Sequence, residues 1–282
     1  MIICNIEEIK LQGPYRLTGE SGTDRLLWED TRMYQKETKG LYFWVVPNSN
    51  PAFTGTWWVN YVGMSSRPII ERIEEHMGEF LTLHYHIYDS AILADPTKLC
   101  GETGRGLKGS ERNDAYWIYQ PGNLADSKAK WTKYDEKQRK EHIVKYYKKL
   151  FCKSEPETSY LQVGLREQFR LLRMFVAHID VDKISCNSFI EPNLLLRHVE
   201  ALFIRHLKVK HGSEDELSKE ESLINAFVDN ELQGVPVQSE TGNFELSIRR
   251  IMLDGGGTLI GLPTGPFTKR FHIASGLTPP TP

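Results

Sequence analysis

Two neighbouring runs of aromatic and β-branched residues constrain the fold of this 282-residue chain more than any other feature. They are GLYFWVV at residues 40–46 and WWVNYVGM at residues 57–64, and such residues favour β-strands. The segment between them, PNSNPAFTG, is dense in Pro, Asn, Ser and Gly, which is typical of a loop. The sequence therefore predicts an antiparallel hairpin with a long connection.

Helical and strand patterns follow the hairpin. Pro68 suits the first turn of a helix, and the apolar residues after it recur at helical spacing: Ile69, Ile70, Ile73, Met77 and Phe80. The run RLLRMFVAHIDV at 170–181 predicts a buried strand. Residues 189–210 give the strongest helix pattern, with basic residues at its end, and a shorter helix is expected over 218–231. The order hairpin, helix, strand, helix predicts an α+β fold.

Polar side chains that suit catalysis cluster in these elements. Tyr42 opens one strand of the hairpin and Tyr61 lies near the end of the other, so that pairing would turn two phenols towards one cleft. Arg72 and His76 are four residues apart on the following helix, which places them one turn apart on the same face.

A carboxylate falls inside the apolar stripe of the longest predicted helix. Glu200 shares a sector of about 100° with Leu196, Val199, Phe203 and Leu207. A carboxylate in such a place is costly unless a cation or a metal is its partner. An arginine such as Arg173 or Arg166 is one candidate partner, and a divalent metal is the other.

The matching segments GLY at 40–42, YVGMSSRPIIERIEEH at 61–76 and the helix with Glu200 together resemble the GIY-YIG nuclease superfamily. The resemblance covers roughly residues 38–78 and 168–210. It implies a small mixed or antiparallel sheet flanked by helices.

The resemblance also divides the chain. It implies a nuclease core over 38–210 with an inserted helical and loop region at about 83–168. Residues 1–37 and 211–282 are then N-terminal and C-terminal extensions.

The resemblance implies a set of catalytic residues and a metal-dependent hydrolase. They are Tyr42, Tyr61, Arg72, His76, Glu200 and Asn225. Glu200 would hold Mg²⁺ or Mn²⁺, Arg72 would bind the scissile phosphate through its planar fork, and a tyrosine with His76 would handle the proton of the attacking water. Asn225 lies farther from Glu200 than the family pattern places its Asn. The expected activity is a restriction- or repair-type endonuclease.

A basic segment points to the substrate. The whole chain has a net charge of −2, but residues 128–153 hold ten cations against three acids, a net of +7. A Lys-rich helix is usually a solvated face, but aromatic residues are interleaved with these cations, which adds phosphate contact as the functional interpretation. The expected phosphate-binding side chains are Lys128, Lys130, Lys133, Lys137, Arg139, Lys140, Lys145, Lys148 and Lys149. Nucleic acid, with double-stranded DNA favoured, is the expected partner, and a homodimer is left open beside a monomer.

Features that the sequence lacks predict where the protein is located. No apolar run approaches the ~18 residues of a membrane span, and the N-terminus has no early positive region. We therefore expect no membrane partner and a cytoplasmic location. The four cysteines are widely spaced and are expected to be reduced thiols.

Other interpretations stay open. In the second hypothesis the chain folds like the nuclease yet binds or assembles on nucleic acid without cutting it. In the third, its tyrosines and Arg–His pair only pack. The pattern His84, His86 and Asp89 suggests a metal, but the sequence places no further ligand beside it. Arg72 has nearby glutamates, Glu71 and Glu75, as ordinary helix partners.

Overall fold

The part of the chain described below, in a computed structural model, consists of separate ranges of residues. It comprises residues 1–18, 24–34, 39–81, 85–100, 106–107, 116–119, 156–208, 218–229, 242–263 and 265–272. The basic segment 128–153 and His84 lie outside it. Within these residues no helix is long and apolar enough to cross a membrane.

The regular elements described below are strands and five α-helices within the described ranges. The strands are β1 Ile2–Ile6, β2 Ile9–Arg16, β3 Arg25–Leu26, β4 Gly40–Pro47, β5 Thr56–Ser65, β6 Ile87–Tyr88, β7 Trp117–Tyr119, β8 Arg173–His178, β9 Ser185–Cys186, β10 Phe244–Ile248, β11 Ile251–Leu253, β12 Thr258–Ile260 and β13 Phe267–Phe271. The helices are α1 Ile69–Leu81, α2 Ser90–Ala94, α3 Pro156–Leu171, α4 Pro192–Leu207 and α5 Lys219–Phe227.

The largest sheet has the strand order β11-β2-β8-β4-β5-β12, with β3 beside β2. Its middle pairs, β2/β8, β8/β4 and β4/β5, are antiparallel. Its outer pairs, β11/β2, β3/β2 and β12/β5, are parallel. The predicted hairpin is confirmed as β4 and β5, and a mixed α/β protein with mixed sheets is confirmed at that level.

The two faces of this sheet bury different layers, because side chains alternate along a strand. Phe43 of β4 packs on α4, with its ring centroid 5.2 Å from that of Phe203. Trp44 points to the opposite face, where its ring is 5.6 Å from Phe80 of α1. The helices α1 and α3 cover that second face, and Phe169 of α3 packs on Phe80 at 5.4 Å.

The terminal segments 1–37 and 211–282, expected as extensions, supply strands to both larger sheets. A four-stranded sheet has the order β13-β10-β1-β9, and β2, β11 and β12 join the largest sheet. Strand β1 from the N-terminus runs parallel to β10 near the C-terminus. Such pairing between distant segments leaves no local signal in the sequence.

A disulfide joins two of these strands. Cys4 of β1 and Cys186 of β9 form it, with their Cα atoms 4.1 Å apart. The prediction of four reduced thiols is therefore wrong for this pair. The physical reason is the strand register, which sets Cys4 directly opposite Cys186 across 182 residues of sequence. Cys100 is free, and Cys152 lies outside the described residues.

The sequence patterns predict the bounds of the helices more accurately than those of the strand at 170–181. The helix expected at 189–210 is α4, whose first turn holds Pro192 and whose N-cap is Glu191. The helix expected at 218–231 is α5, where Ser218 forms a capping box with Glu221. The strand expected at 170–181 is shorter, because α3 continues to Leu171.

Candidate active site

The hairpin brings two phenols together on the face covered by α1. Tyr42 lies opposite Gly63 and Trp44 lies opposite Tyr61, so that the rings of Tyr42 and Tyr61 stack with centroids 6.2 Å apart. Gly63 makes this possible. A β-carbon at Gly63 would lie 2.6 Å from Cε2 of Tyr42, so the ring occupies the space that any larger residue would fill.

A β-bulge directs Tyr61 to this face. The register shifts between Trp44 and Val45, which leaves Asn60 of β5 as the extra residue. Val59 consequently packs in the α4 layer although Tyr61, two residues on, packs in the α1 layer. Asn60 is buried and its Nδ2 donates to the Phe227 carbonyl at 3.1 Å. Sequence reasoning missed this role, although an Asn within an apolar strand was its signal.

Helix α1 supplies the third member of the cluster. His76 is 4% exposed, and its Nε2 is hydrogen-bonded to the Tyr42 hydroxyl at 2.6 Å. Its ring also lies 5.8 Å from Tyr61 and 5.4 Å from Tyr85. The strand and the helix therefore hold phenol and imidazole in direct contact.

Arg72 lies one turn before His76 on α1 and has two kinds of neighbour. Its Nη1 donates to Glu75 at 3.0 Å, and about a third of the side chain, 31%, is exposed. The ordinary helix ion pair is thus present. Its charge also acts on the tyrosines, because it lowers the pKa of both Tyr42 and Tyr61 against the stronger effect of burial.

Burial keeps both phenols protonated. It is the main cause that raises the pKa of Tyr61 to about 12, and the charge of Glu200 adds to it. Burial likewise raises the pKa of Tyr42 well above its usual value, with Tyr61 as the next cause. Tyr42 is fully buried whereas Tyr61 is partly exposed, so Tyr61 lies nearer the surface than Tyr42.

Glu200 approaches the phenols from the other layer. It sits on α4 at the border of the buried stripe, and the neighbours Leu196, Val199 and Phe203 are almost fully buried. Strand β12 pairs with β5 only at Thr56–Trp58, and the backbone of Met64, farther along β5, hydrogen-bonds to the Glu200 carboxylate. Glu200 therefore lies beside the stretch of β5 that β12 does not cover.

The charge state of Glu200 reflects this position. Burial is the main cause that raises the pKa of its carboxyl to about 7, and the Met64 hydrogen bond and the charges of Arg72 and Arg197 only partly oppose it. No ion pair between described residues includes Glu200. Arg173, one expected alternative partner, instead pairs with Asp24 at 2.6 Å.

Asn225 and Asp229 differ in their contacts with the site. Asn225 is half-buried on α5, and among the described residues no hydrogen bond joins it to the tyrosines, Arg72 or Glu200. Asp229, two residues beyond the end of α5, is nearer the site. It accepts a hydrogen bond from Tyr88, its N–H donates to the Asn60 carbonyl at 2.7 Å, and its charge raises the pKa of Tyr61. Nothing in the sequence marked Asp229.

The donor set limits which metal could bind. No group of three or more His, Cys, Asp or Glu side chains that could hold a metal occurs among the described residues. The Asp89 carboxylate caps α2 by accepting from the Ala91 and Ile92 N–H groups, which gives it a structural role. Glu200 offers oxygen alone, and Mg²⁺ is commonly held by one or two carboxylates with waters and substrate phosphates. Glu200 thus fits a magnesium site of that kind rather than a zinc cage.

Comparison of the chain with family models, with curated proteins and with solved structures finds no match.

Proposed function

We propose that this protein is a divalent-metal-dependent endonuclease that hydrolyses phosphodiester bonds in nucleic acid, with DNA as the favoured substrate. One observation carries the proposal: two strands, α1 and α4 bring Tyr42, Tyr61, His76, Arg72 and Glu200 into one electrostatically coupled group. Packing alone does not require a phenol pair, an imidazole, a guanidinium and a partly buried carboxylate whose charges influence one another.

The fold supports the same proposal at a coarser level. Strand β4 lies between β8 and β5, α1 packs on one face and α4 on the other. The chain order hairpin, helix, strand, helix is the order that the GIY-YIG resemblance requires. We therefore include in the proposal that β4, β5, α1, β8 and α4 form a divergent core of that superfamily.

Arg72 binds the scissile phosphate in this proposal. A guanidinium presents two parallel N–H groups to phosphate oxygens, and Arg72 is partly exposed. Its bond to Glu75 would be exchanged for bonds to the phosphate. The positive charge then stands where negative charge develops on the phosphoryl oxygens.

The tyrosines and His76 move the proton of the attacking water. A tyrosine that stays deprotonated before the reaction is disfavoured, because burial raises the pKa of both phenols. A relay avoids it: Tyr61 takes the water proton while passing its own to Tyr42, and Tyr42 passes its proton to Nε2 of His76. Tyr61 is the outer member because it is the more exposed phenol, and the 2.6 Å contact of Tyr42 with His76 supports the last transfer.

Glu200 would hold the Mg²⁺ or Mn²⁺. Such an ion, when bound, neutralises charge on the phosphoryl and leaving oxygens. Glu200 is suited to this because a nearby cation would offset the cost of its buried charge. The basic segment 128–153 would bind the DNA backbone beyond the site, and a homodimer would allow both strands to be cut.

A catalytically silent protein that binds nucleic acid is the second candidate. The observation that favours it is the Arg72–Glu75 hydrogen bond at 3.0 Å, which gives the arginine a complete structural role. Such a protein would bind DNA with the same affinity in Mg²⁺ and in chelator.

A cleavage assay separates the two candidates. Mixed DNA substrates are incubated with the purified chain in Mg²⁺ and in chelator, and Tyr61→Phe is compared with Glu74→Gln, which changes an exposed residue of α1. We expect cleavage in Mg²⁺ only, a loss of about 100-fold or more in Tyr61→Phe, and no loss in Glu74→Gln. Binding without cleavage at any metal concentration would favour the silent protein.

A further inference from the structure

A second carboxylate lies behind the imidazole. Glu79 follows His76 by three residues on α1, and its Oε2 lies 3.5 Å from His76 Nδ1, an ion-pair distance without the geometry of a hydrogen bond. The opposite ring nitrogen, Nε2, is the atom that contacts the Tyr42 hydroxyl at 2.6 Å. Carboxylate, imidazole and phenol thus form a line that runs from α1 to β4. The side chain of Glu79 is 19% exposed, so the line is largely shielded from solvent.

Tyr85 contacts the Glu79 carboxylate from another side. Its ring lies 5.4 Å from His76 and 5.0 Å from Phe80. Besides burial, which is the main cause, the charge of Glu79 and a hydrogen bond with Glu79 raise the pKa of the Tyr85 phenol. The Glu79 carboxylate therefore lies between the Tyr85 phenol and the His76 imidazole.

We propose that Glu79 is a positioning residue for His76 in the proposed nuclease reaction: its carboxylate keeps a proton on Nδ1 and so leaves Nε2 free to accept the proton of Tyr42. This inference rests on the proposed function. The sequence pattern did not single out Glu79, because an acid three residues after a helix histidine is common.

The chemistry of imidazole explains the need for such a group. A neutral imidazole carries one N–H and one acceptor nitrogen, and the partner of one nitrogen decides the role of the other. Because the negative charge of Glu79 favours a proton on the nearer ring nitrogen, Nδ1, Nε2 is left as the acceptor that the relay requires. When Nε2 takes the proton, the Glu79 charge stabilises the imidazolium, as the buried carboxylate does in serine-protease triads.

Each proton and bond in the step is accounted for. The water oxygen forms the new bond to phosphorus and the bond to the leaving oxygen breaks, while the leaving oxygen takes a proton from solvent. The water proton passes to Tyr61, the Tyr61 proton to Tyr42, and the Tyr42 proton to His76. Release of product allows the imidazolium proton to return along the same path to solvent.

Several groups besides Glu79 face His76 and would influence its protonation. They are Tyr42, Tyr61, Tyr85, Trp44 and, one turn earlier on α1, Arg72. Glu79 is the anionic group in contact with His76 among the contacts described here, and removing its charge leaves the phenols and the arginine in place.

The first arm of the test is kinetic. Glu79→Gln, Glu79→Asp and the exposed control Glu74→Gln are compared for Mg²⁺-dependent cleavage over a range of pH. We expect kcat of Glu79→Gln to fall about 10–100-fold, as for other residues that orient a functional histidine, with KM for DNA unchanged. We expect the acidic limb of its pH profile to move to lower pH, because the imidazolium loses an anionic neighbour. Glu79→Asp should recover part of the activity.

The second arm needs no activity. Nitrogen NMR of His76 in the full-length protein at neutral pH reports which ring nitrogen carries the proton. We expect the Nδ1–H form in the wild type and in Glu74→Gln, and a mixture of forms in Glu79→Gln. An Nε2–H form in the wild type, or an unmoved acidic limb in Glu79→Gln, would overturn the inference. A wild type that holds the Nδ1–H form yet never cleaves DNA would instead refute the proposed function, and with it the catalytic purpose of Glu79.

Discussion

Replacing Glu200 by Gln should stabilise the metal-free protein, and the structure gives the size of the effect. Burial raises the pKa of the Glu200 carboxyl from 4.5 to about 7. Each pKa unit corresponds to about 1.4 kcal/mol, so the ionised carboxylate costs the folded state at most about 3 kcal/mol above pH 7. Gln keeps the shape and an oxygen that can accept the Met64 hydrogen bond, but it carries no charge.

The sign follows from the direction of the shift. The folded state holds the Glu200 proton more tightly than the unfolded state does, so the wild type loses stability as pH rises from 4.5 to about 7. Glu200→Gln lacks this loss. The two proteins should therefore be equally stable near pH 4 and should differ by up to about 3 kcal/mol at pH 8, which is roughly 5–10 °C in Tm for a chain of this size.

Thermal unfolding in chelator between pH 4 and pH 8 measures this, with Glu74→Gln as the control for a lost exposed charge. In Mg²⁺ the advantage of the variant should shrink, because the ion stabilises only the wild type. A fall in Tm of Glu200→Gln at pH 8 would refute the reasoning, since it would mean that the ionised carboxylate has a stabilising cationic partner.

Three further predictions concern the tyrosine pair, a buried acid and the basic segment. Gly63→Ala should cost about 1–3 kcal/mol and displace the Tyr42 ring, which denaturant unfolding and aromatic circular dichroism would record. Asp30→Asn should cost about 2 kcal/mol at pH 7, because a hydrogen bond from Arg32 holds the pKa of the Asp30 carboxyl below its usual value. This contribution to stability is present above the unfolded pKa and is lost as pH falls. Urea unfolding at acidic pH should therefore show a smaller difference between variant and wild type. Reversing three lysines within 128–153 should weaken DNA binding and flatten its dependence on salt by up to about three in slope.

Matched controls exist for these changes. Gly265→Ala adds a β-carbon where nothing lies within 4 Å and should leave stability unchanged. Equal effects of the two glycine substitutions would contradict the packing account of Gly63. A constant loss in Asp30→Asn at every pH would exclude an electrostatic origin. An unchanged salt slope in the lysine variant would mean that the segment does not touch phosphate.

The features of the site that depend on local sequence could be predicted from the sequence. Aromatic strand runs and a loop between them fix the hairpin, and the pairing of one strand with the next follows from it. The spacing of four between Arg72 and His76 fixes their common face, since a helix turns about 100° per residue. The apolar stripe of α4 marked Glu200 as a carboxylate in a costly place.

The rest depends on long-range pairing that leaves no local pattern. The bulge at Asn60 decides on which face Tyr61 lies, and periodicity alone does not place a bulge. Strand β10 shows alternation at Phe244, Leu246 and Ile248, but its partners β1 and β13 are set by tertiary contacts. The Cys4–Cys186 bond and the approach of Asp229 to Tyr61 likewise arise only when segments far apart in sequence meet.

The most direct test of the central claim is the cleavage rate of one DNA substrate by equal folded concentrations of wild type and Glu200→Gln in Mg²⁺. We expect the wild type to cut in Mg²⁺ and not in chelator, and the variant to bind the DNA yet cut at least about 100-fold more slowly. Equal cleavage by the two proteins, or wild-type cleavage that persists in chelator, would contradict a metal-dependent nuclease centred on Glu200.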